Sequence, residues 1–242
     1  MANLKDIRNR IKSVKSIQQV TKAMKMVAAA KMRRAQENME QARPYTFKME
    51  DMLNNLVSEF NSDLIPVLET RSEVKKKLFV IVTADRGMAG AFNTNIIKTA
   101  HKAIDELGKD NSVLLCIGKK AHTYFKNRNY DIKKYYIDFW SDLKYQDAID
   151  ICNYIKKQFL DFSVDQVEIV YNEFVNVGRQ EVKNKIFLPL ENKSKNEKSN
   201  EMSDRIFEPS KEIVLKTLVP KYLNTQIWQF LLVKISTLKY LK

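Results

Sequence analysis

Few residues of this 242-residue chain have types and spacing that could do chemistry. One loop between a short apolar run and a helical pattern carries two glycines: Asp85-Arg86-Gly87-Met88-Ala89-Gly90-Ala91-Phe92-Asn93. An α/β protein cradles phosphates in such a place, because free backbone amides at a helix start attract an anion. The G-x-x-G spacing is neither the dinucleotide fingerprint nor the phosphate-loop pattern, and Lys98 lies too far along to act as a phosphate-loop lysine. The spacing favours a tight structural turn, with Asp85 and Arg86 as an ion pair or turn cap. His101 and His122 are the only histidines, and neither stands near a Ser or Cys in a nucleophile motif. Both read as helix residues of no special role. No Cys, His or acid cluster has metal-ligand spacing, so neither zinc nor another cofactor is expected. Cys116 and Cys152 cannot build a disulfide framework and read as small buried hydrophobes in a reducing compartment. These residues make no convincing active site.

The elements around them fall into three blocks. The first 43 residues hold no Gly and no Pro, and Ala, Met, Lys, Gln and Arg dominate. Apolar positions run Leu4, Ile7, Ile11, Val14, Ile17, Val20, Met24, Val27, at gaps of three or four. That is helical spacing with a narrow, coiled-coil-like stripe. One helix over this stretch is roughly 65 Å long, more than a small domain is wide, so part of it must project or lie along a partner. The pattern continues past Pro44 to about Phe60, giving a shaft over residues 1–60. Strand and helix patterns then alternate over 75–190: strands at 78–84, 113–117 and 132–137, helices at 96–107, 119–128 and 145–162. Two further strands at 167–175 and 181–190 read as a hairpin-like pair near an edge. The alternation predicts a Rossmann-like α/β domain with a mainly parallel sheet. Residues 191–209 read as a mobile polar loop, and a helix is expected from Ser210.

Charge is unevenly spread. The chain carries +13, and residues 1–36 contribute ten Lys/Arg against the single acid Asp6. So dense a basic block points to an anionic partner: nucleic acid, anionic lipid or an acidic protein surface. A solvated helix face is the plain alternative. No aromatic residue precedes Tyr45, which removes base stacking but leaves backbone-only duplex binding open. No stretch is long and apolar enough to span a bilayer, and the start resembles neither a signal nor a transit peptide, so a cytoplasmic protein is expected.

The segment from Ile11 to Ala35, IKSVKSIQQVTKAMKMVAAAKMRRA, closely resembles the gamma subunit of F-type ATP synthase. So do Arg43-Pro44-Tyr45, the stretch Val82 to Asn93, Tyr171-Asn172-Glu173-Phe174, Phe187-Leu188-Pro189-Leu190, Phe207-Glu208-Pro209 and Tyr222 to Trp228. The resemblance implies a non-catalytic rotor coupling proton flow through the membrane ring to the catalytic alpha/beta hexamer. It implies an antiparallel coiled coil of N- and C-terminal helices inside a ring of alpha and beta subunits. It places the α/β body near the epsilon subunit and the membrane c-ring, at the cytoplasmic face of a bacterial inner membrane. Lys22, Met24, Lys25, Lys31, Arg33 and Arg34 fall where the family's shaft meets the alpha/beta head. Phe207 and Glu208 fall near the membrane ring and epsilon. Asp85, Arg86, Gly87 and Gly90 match a structural loop of the body. No nucleic-acid partner and no cofactor are implied.

The resemblance fades after Leu232, and Val233–Lys242 do not match the family's continuation there. The expectation is a changed reading frame and a largely missing C-terminal partner helix. Uncovering about eight seam positions costs on the order of 10 kcal/mol of burial, which predicts a frayed shaft tip and impaired torque transmission.

Overall fold

The computed structural model describes residues 3–59, 65–87, 91–140, 142–176, 179–190, 208 and 210–238. The chain forms α1 (Leu4–Glu59), β1 (Lys77–Val82), α2 (Phe92–Leu107), β2 (Ser112–Ile117), α3 (Lys119–Lys126) and β3 (Ile132–Tyr136). Then come α4 (Tyr145–Leu160), β4 (Gln166–Asn176), β5 (Arg179–Leu188) and α5 (Lys211–Leu238). The expected polar segment 191–209 lies outside the described residues except for Glu208.

The strands make one sheet in the order β3-β2-β1-β4-β5. β1 pairs parallel with β2 and β4, β2 parallel with β3, and β5 runs antiparallel to β4 at the edge. β1 is nearly all apolar because both its faces are covered. Leu78, Val80 and Val82 face a core shared with α1, α4 and α5; Phe79 and Ile81 face the α2–α3 layer. This is a three-layer α/β body with helices on both faces.

α1 is 56 residues, roughly 84 Å at 1.5 Å per residue. Its two parts live in different surroundings. Met49, Leu53, Leu56 and Val57 are buried in the first core with Leu215, Val219, Leu223 and Ile227 of α5. Gln229 donates to the Thr46 hydroxyl, while Tyr222 feels the Glu50 charge, so the two helices run antiparallel. From Leu4 to Val27 the apolar stripe is open to solvent, with Ile17 64% and Met24 61% exposed. The helix is continuous from Leu4. Strong helix formers without Gly or Pro before Pro44 account for that. α5 likewise runs on through Leu232 to Leu238.

Candidate functional site

The described ends of the glycine loop are tied to neighbouring elements. Asp85 accepts from the Lys119 amide through Oδ1 (2.8 Å) and from the Asp138 amide through Oδ2 (2.9 Å). It thereby caps the start of α3 and ties it to the chain after β3. The Thr83 hydroxyl donates toward the Ile117 carbonyl (3.3 Å) and accepts from the Ala121 amide (2.9 Å). Asn93, at the start of α2, accepts from the Ala84 amide at 2.9 Å. Gly118 sits at φ +98, and a Cβ there would lie 2.1 Å from the Thr83 carbonyl oxygen. Amides at the start of α3 are therefore met by the chain's own carboxylate and hydroxyl. Arg86 and Gly87 are exposed beside it, without an ion pair between Asp85 and Arg86 among the described residues. Gly90 lies outside the described residues.

His101 has more partners than its sequence suggested. Its Nδ1 lies 2.7 Å from Asp105, one turn along α2, and its Nε2 3.1 Å from the Tyr130 hydroxyl. Burial, then Asp105 and Tyr124, push the Tyr130 hydroxyl above its ordinary pKa against the pull of Arg128. The Asp-His-Tyr chain fastens the turn after α3 onto α2. His122 stacks on Tyr135 at 4.1 Å. Cys116 and Cys152 are buried free thiols, each pushed up to about 12 by burial. Among the described residues no group of acids, His and Cys could hold a metal, and no helix is long and apolar enough to cross a membrane.

Of the remaining predicted residues, those of the shaft lie on α1. Lys22, Met24, Lys25, Arg33 and Arg34 are all exposed on α1. Arg33 reaches Glu37 at 2.9 Å; Lys22 and Lys25 have no acid partner among the described residues. The Lys31 side chain and Phe207 lie outside the described structure, and Glu208 is exposed. The surface at hand is a solvent-facing apolar stripe flanked by unpaired cations, suited to enclosure by an acidic, partly apolar partner.

Sequence reasoning missed a second cluster. Arg71 is held by the Phe159 and Val164 carbonyls and by Asp165, whose carboxylate also accepts from the Lys75 and Lys76 amides. Arg71 and Asp165 stand 94 residues apart, so no local pattern joins them.

Known proteins match nearly the whole chain. The family described as ATP synthase covers residues 3–236. The ATP synthase gamma chain of Chlorobium phaeobacteroides (strain BS1) is 46% identical over 238 residues, spanning 96% of this chain and 81% of that one. The gamma chain of Prosthecochloris aestuarii is also 46% identical, over 96% of this chain and 80% of its own. In structure, the chain resembles one from the central stalk and c-ring of the Tetrahymena thermophila mitochondrial ATP synthase. The TM-score is 0.68 at 22% identity, over 91% of this chain and 95% of that one. The sequence relatives decide the matter: this chain belongs to the ATP synthase gamma chain family, the non-catalytic subunit of that enzyme's central stalk.

Proposed function

We infer that the chain serves as a rotor shaft, turning inside a ring of alpha and beta subunits while its α/β body engages epsilon and the membrane c-ring. The observation that carries this reading is the division of α1. One part is packed into the body, while the stretch from Leu4 to Val27 carries an apolar stripe and unpaired cations into solvent. A monomer gains nothing from leaving that stripe open, whereas a ring of partners would cover it. In this reading Lys22, Met24, Lys25, Lys31, Arg33 and Arg34 meet the alpha/beta head. Phe207 and Glu208 meet the membrane ring or epsilon, and the chain is peripheral to a bacterial membrane, on its cytoplasmic side. Asp85, Arg86, Gly87 and Gly90 serve the body's own structure. Nothing favours the nucleic-acid reading of the basic block.

The test is assembly with alpha and beta subunits, the head fixed to a surface and a bead on the body. ATP-driven rotation of the bead is expected. A chain that fails to co-purify with the subunits, or a bead that stays still while ATP is hydrolysed, would sink the reading.

A further inference from the structure

α1 is joined to the sheet by two routes. The first is lateral: Met49, Leu53, Leu56 and Val57 pack against α5 and the sheet. Such packing is strong but non-directional. The second route is the chain itself, which passes from a short turn at Pro66–Leu68 through residues 69–76 into β1, the central strand. Ile65, Val67 and Leu68 anchor the turn in the core. Residues 69–76 have no regular structure, and every one of them except Arg71 is exposed. Left alone, this stretch would be a slack tether.

Arg71 removes the slack. Its Nη1 donates to the Val164 carbonyl (3.0 Å) and to Asp165 Oδ1 (3.1 Å); its Nη2 donates to the Phe159 carbonyl (2.6 Å). The guanidinium lies between the rings of Phe159 and Phe162, 4.7 and 4.3 Å from their centres. Asp165 Oδ2 accepts from the Lys75 and Lys76 amides at 2.9 and 2.8 Å, and the Asp165 amide returns a bond to the Lys76 carbonyl at 2.8 Å. One planar fork thus caps the end of α4 and grips the turn leading into β4, while its carboxylate partner grips the last residues before β1.

We propose that the Arg71–Asp165 clasp is a torque-bearing joint of the rotor, stiffening the connection between the shaft and the α/β body. The inference rests on the rotor reading. The Arg71 side chain is largely covered by this chain's own residues, and it acts by holding the linker and the α4–β4 turn as one rigid unit. Its directional, charge-assisted hydrogen bonds fix angles that apolar contact alone does not specify.

The experiment uses the assembled complex with the head fixed and rotation halted by a non-hydrolysable nucleotide. A bead is attached through Lys102→Cys on the exposed side of α2; the two native thiols are buried. The angular variance of the bead reports the compliance between head and body. Arg71→Ala is expected to raise that variance about two-fold, with subunit composition and ATP hydrolysis unchanged. Arg71→Lys keeps the charge but loses the fork, and is expected to fall between. A residue needed only for folding would lower the yield of complex and leave the variance of assembled molecules alone. If Arg71→Ala does not assemble, Arg71→Lys and Asp165→Asn carry the test. Variance equal to the parent's in an assembled variant overturns the clasp alone; a parental complex that never assembles overturns the clasp together with the rotor reading.

Discussion

Asp85 and Gly118 tie the end of β1 to the start of α3. The carboxylate of Asp85 caps α3 with one oxygen and holds the Asp138 amide with the other. Asp85→Ala is expected to cost about 1–2 kcal/mol in urea unfolding, the range for a lost helix cap. Gly118→Ala should cost about 3 kcal/mol or more, because left-handed strain adds to a collision with the Thr83 carbonyl. Equal losses for the two variants would contradict these roles. Asp165 adds a pH dependence. Burial alone would raise its carboxyl, but the Lys76 and Lys75 amides and Arg71 outweigh that and hold it below the ordinary value. Its contribution is therefore present above the unfolded pKa of about 3.9 and is lost as pH falls through the lower folded value. The urea midpoints of the parent and of Asp165→Asn should differ clearly at pH 7 and converge towards pH 3; a constant gap would refute it. Asp85 read as an ion pair or cap within its own loop, but its amide partners lie 34 and 53 residues away, at the start of α3 and after β3, where no local pattern points. Arg71 and Asp165 were not legible either, since only the parallel crossover brings residues 94 apart into contact.

α1 teaches the same lesson at the scale of an element. Its helical period was plain from Leu4 to Val27, but period alone does not say what a stripe buries. The structure shows that the stripe near Leu4–Val27 meets solvent, while Met49 to Val57 meet α5. Pro44 falls close to the changeover; lacking an amide hydrogen, it leaves the Glu40 carbonyl without its helical donor. The two parts should respond differently to the same kind of substitution. Leu53→Ala opens a cavity in a packed core and should cost about 2–4 kcal/mol in the isolated chain. Ile17→Ala removes an exposed side chain and should change stability by less than about 0.5 kcal/mol, while weakening assembly with alpha and beta subunits. Hydrogen exchange offers an independent reading. Amides of 10–30 should exchange at least about a hundred-fold faster than those of 49–57 in the isolated chain, since packing supplies most helical protection. They should slow in the complex. Uniform protection along α1 in the free chain would mean that the exposed stripe has found another cover.

The parallel sheet, its two helical layers and the projecting helix could be read from alternation and length, but the molecule's electrical asymmetry matters as much as its shape. An excess of nine positive charges sits in the first 36 residues, out of +13 in all. That charge is carried on a helix whose start stands clear of the body, so its field is weakly offset by acids elsewhere in the fold. A projecting cationic rod of this kind should find an acidic ring quickly and enter it end first. The association rate with alpha and beta subunits should therefore fall steeply between about 0.05 and 0.5 M salt, as the screening length shrinks from over 10 Å to under about 5 Å. Lys22→Glu combined with Lys25→Glu should slow association about ten-fold at low salt and far less at high salt. Stopped-flow mixing with the purified subunits checks both. The apolar stripe, by contrast, acts once the helix is inside: Ile17→Ala should speed dissociation and leave the salt slope unchanged. If the charge variant altered only the dissociation rate, the basic face would be a contact surface rather than a guide, and the apolar stripe would have to account for entry as well.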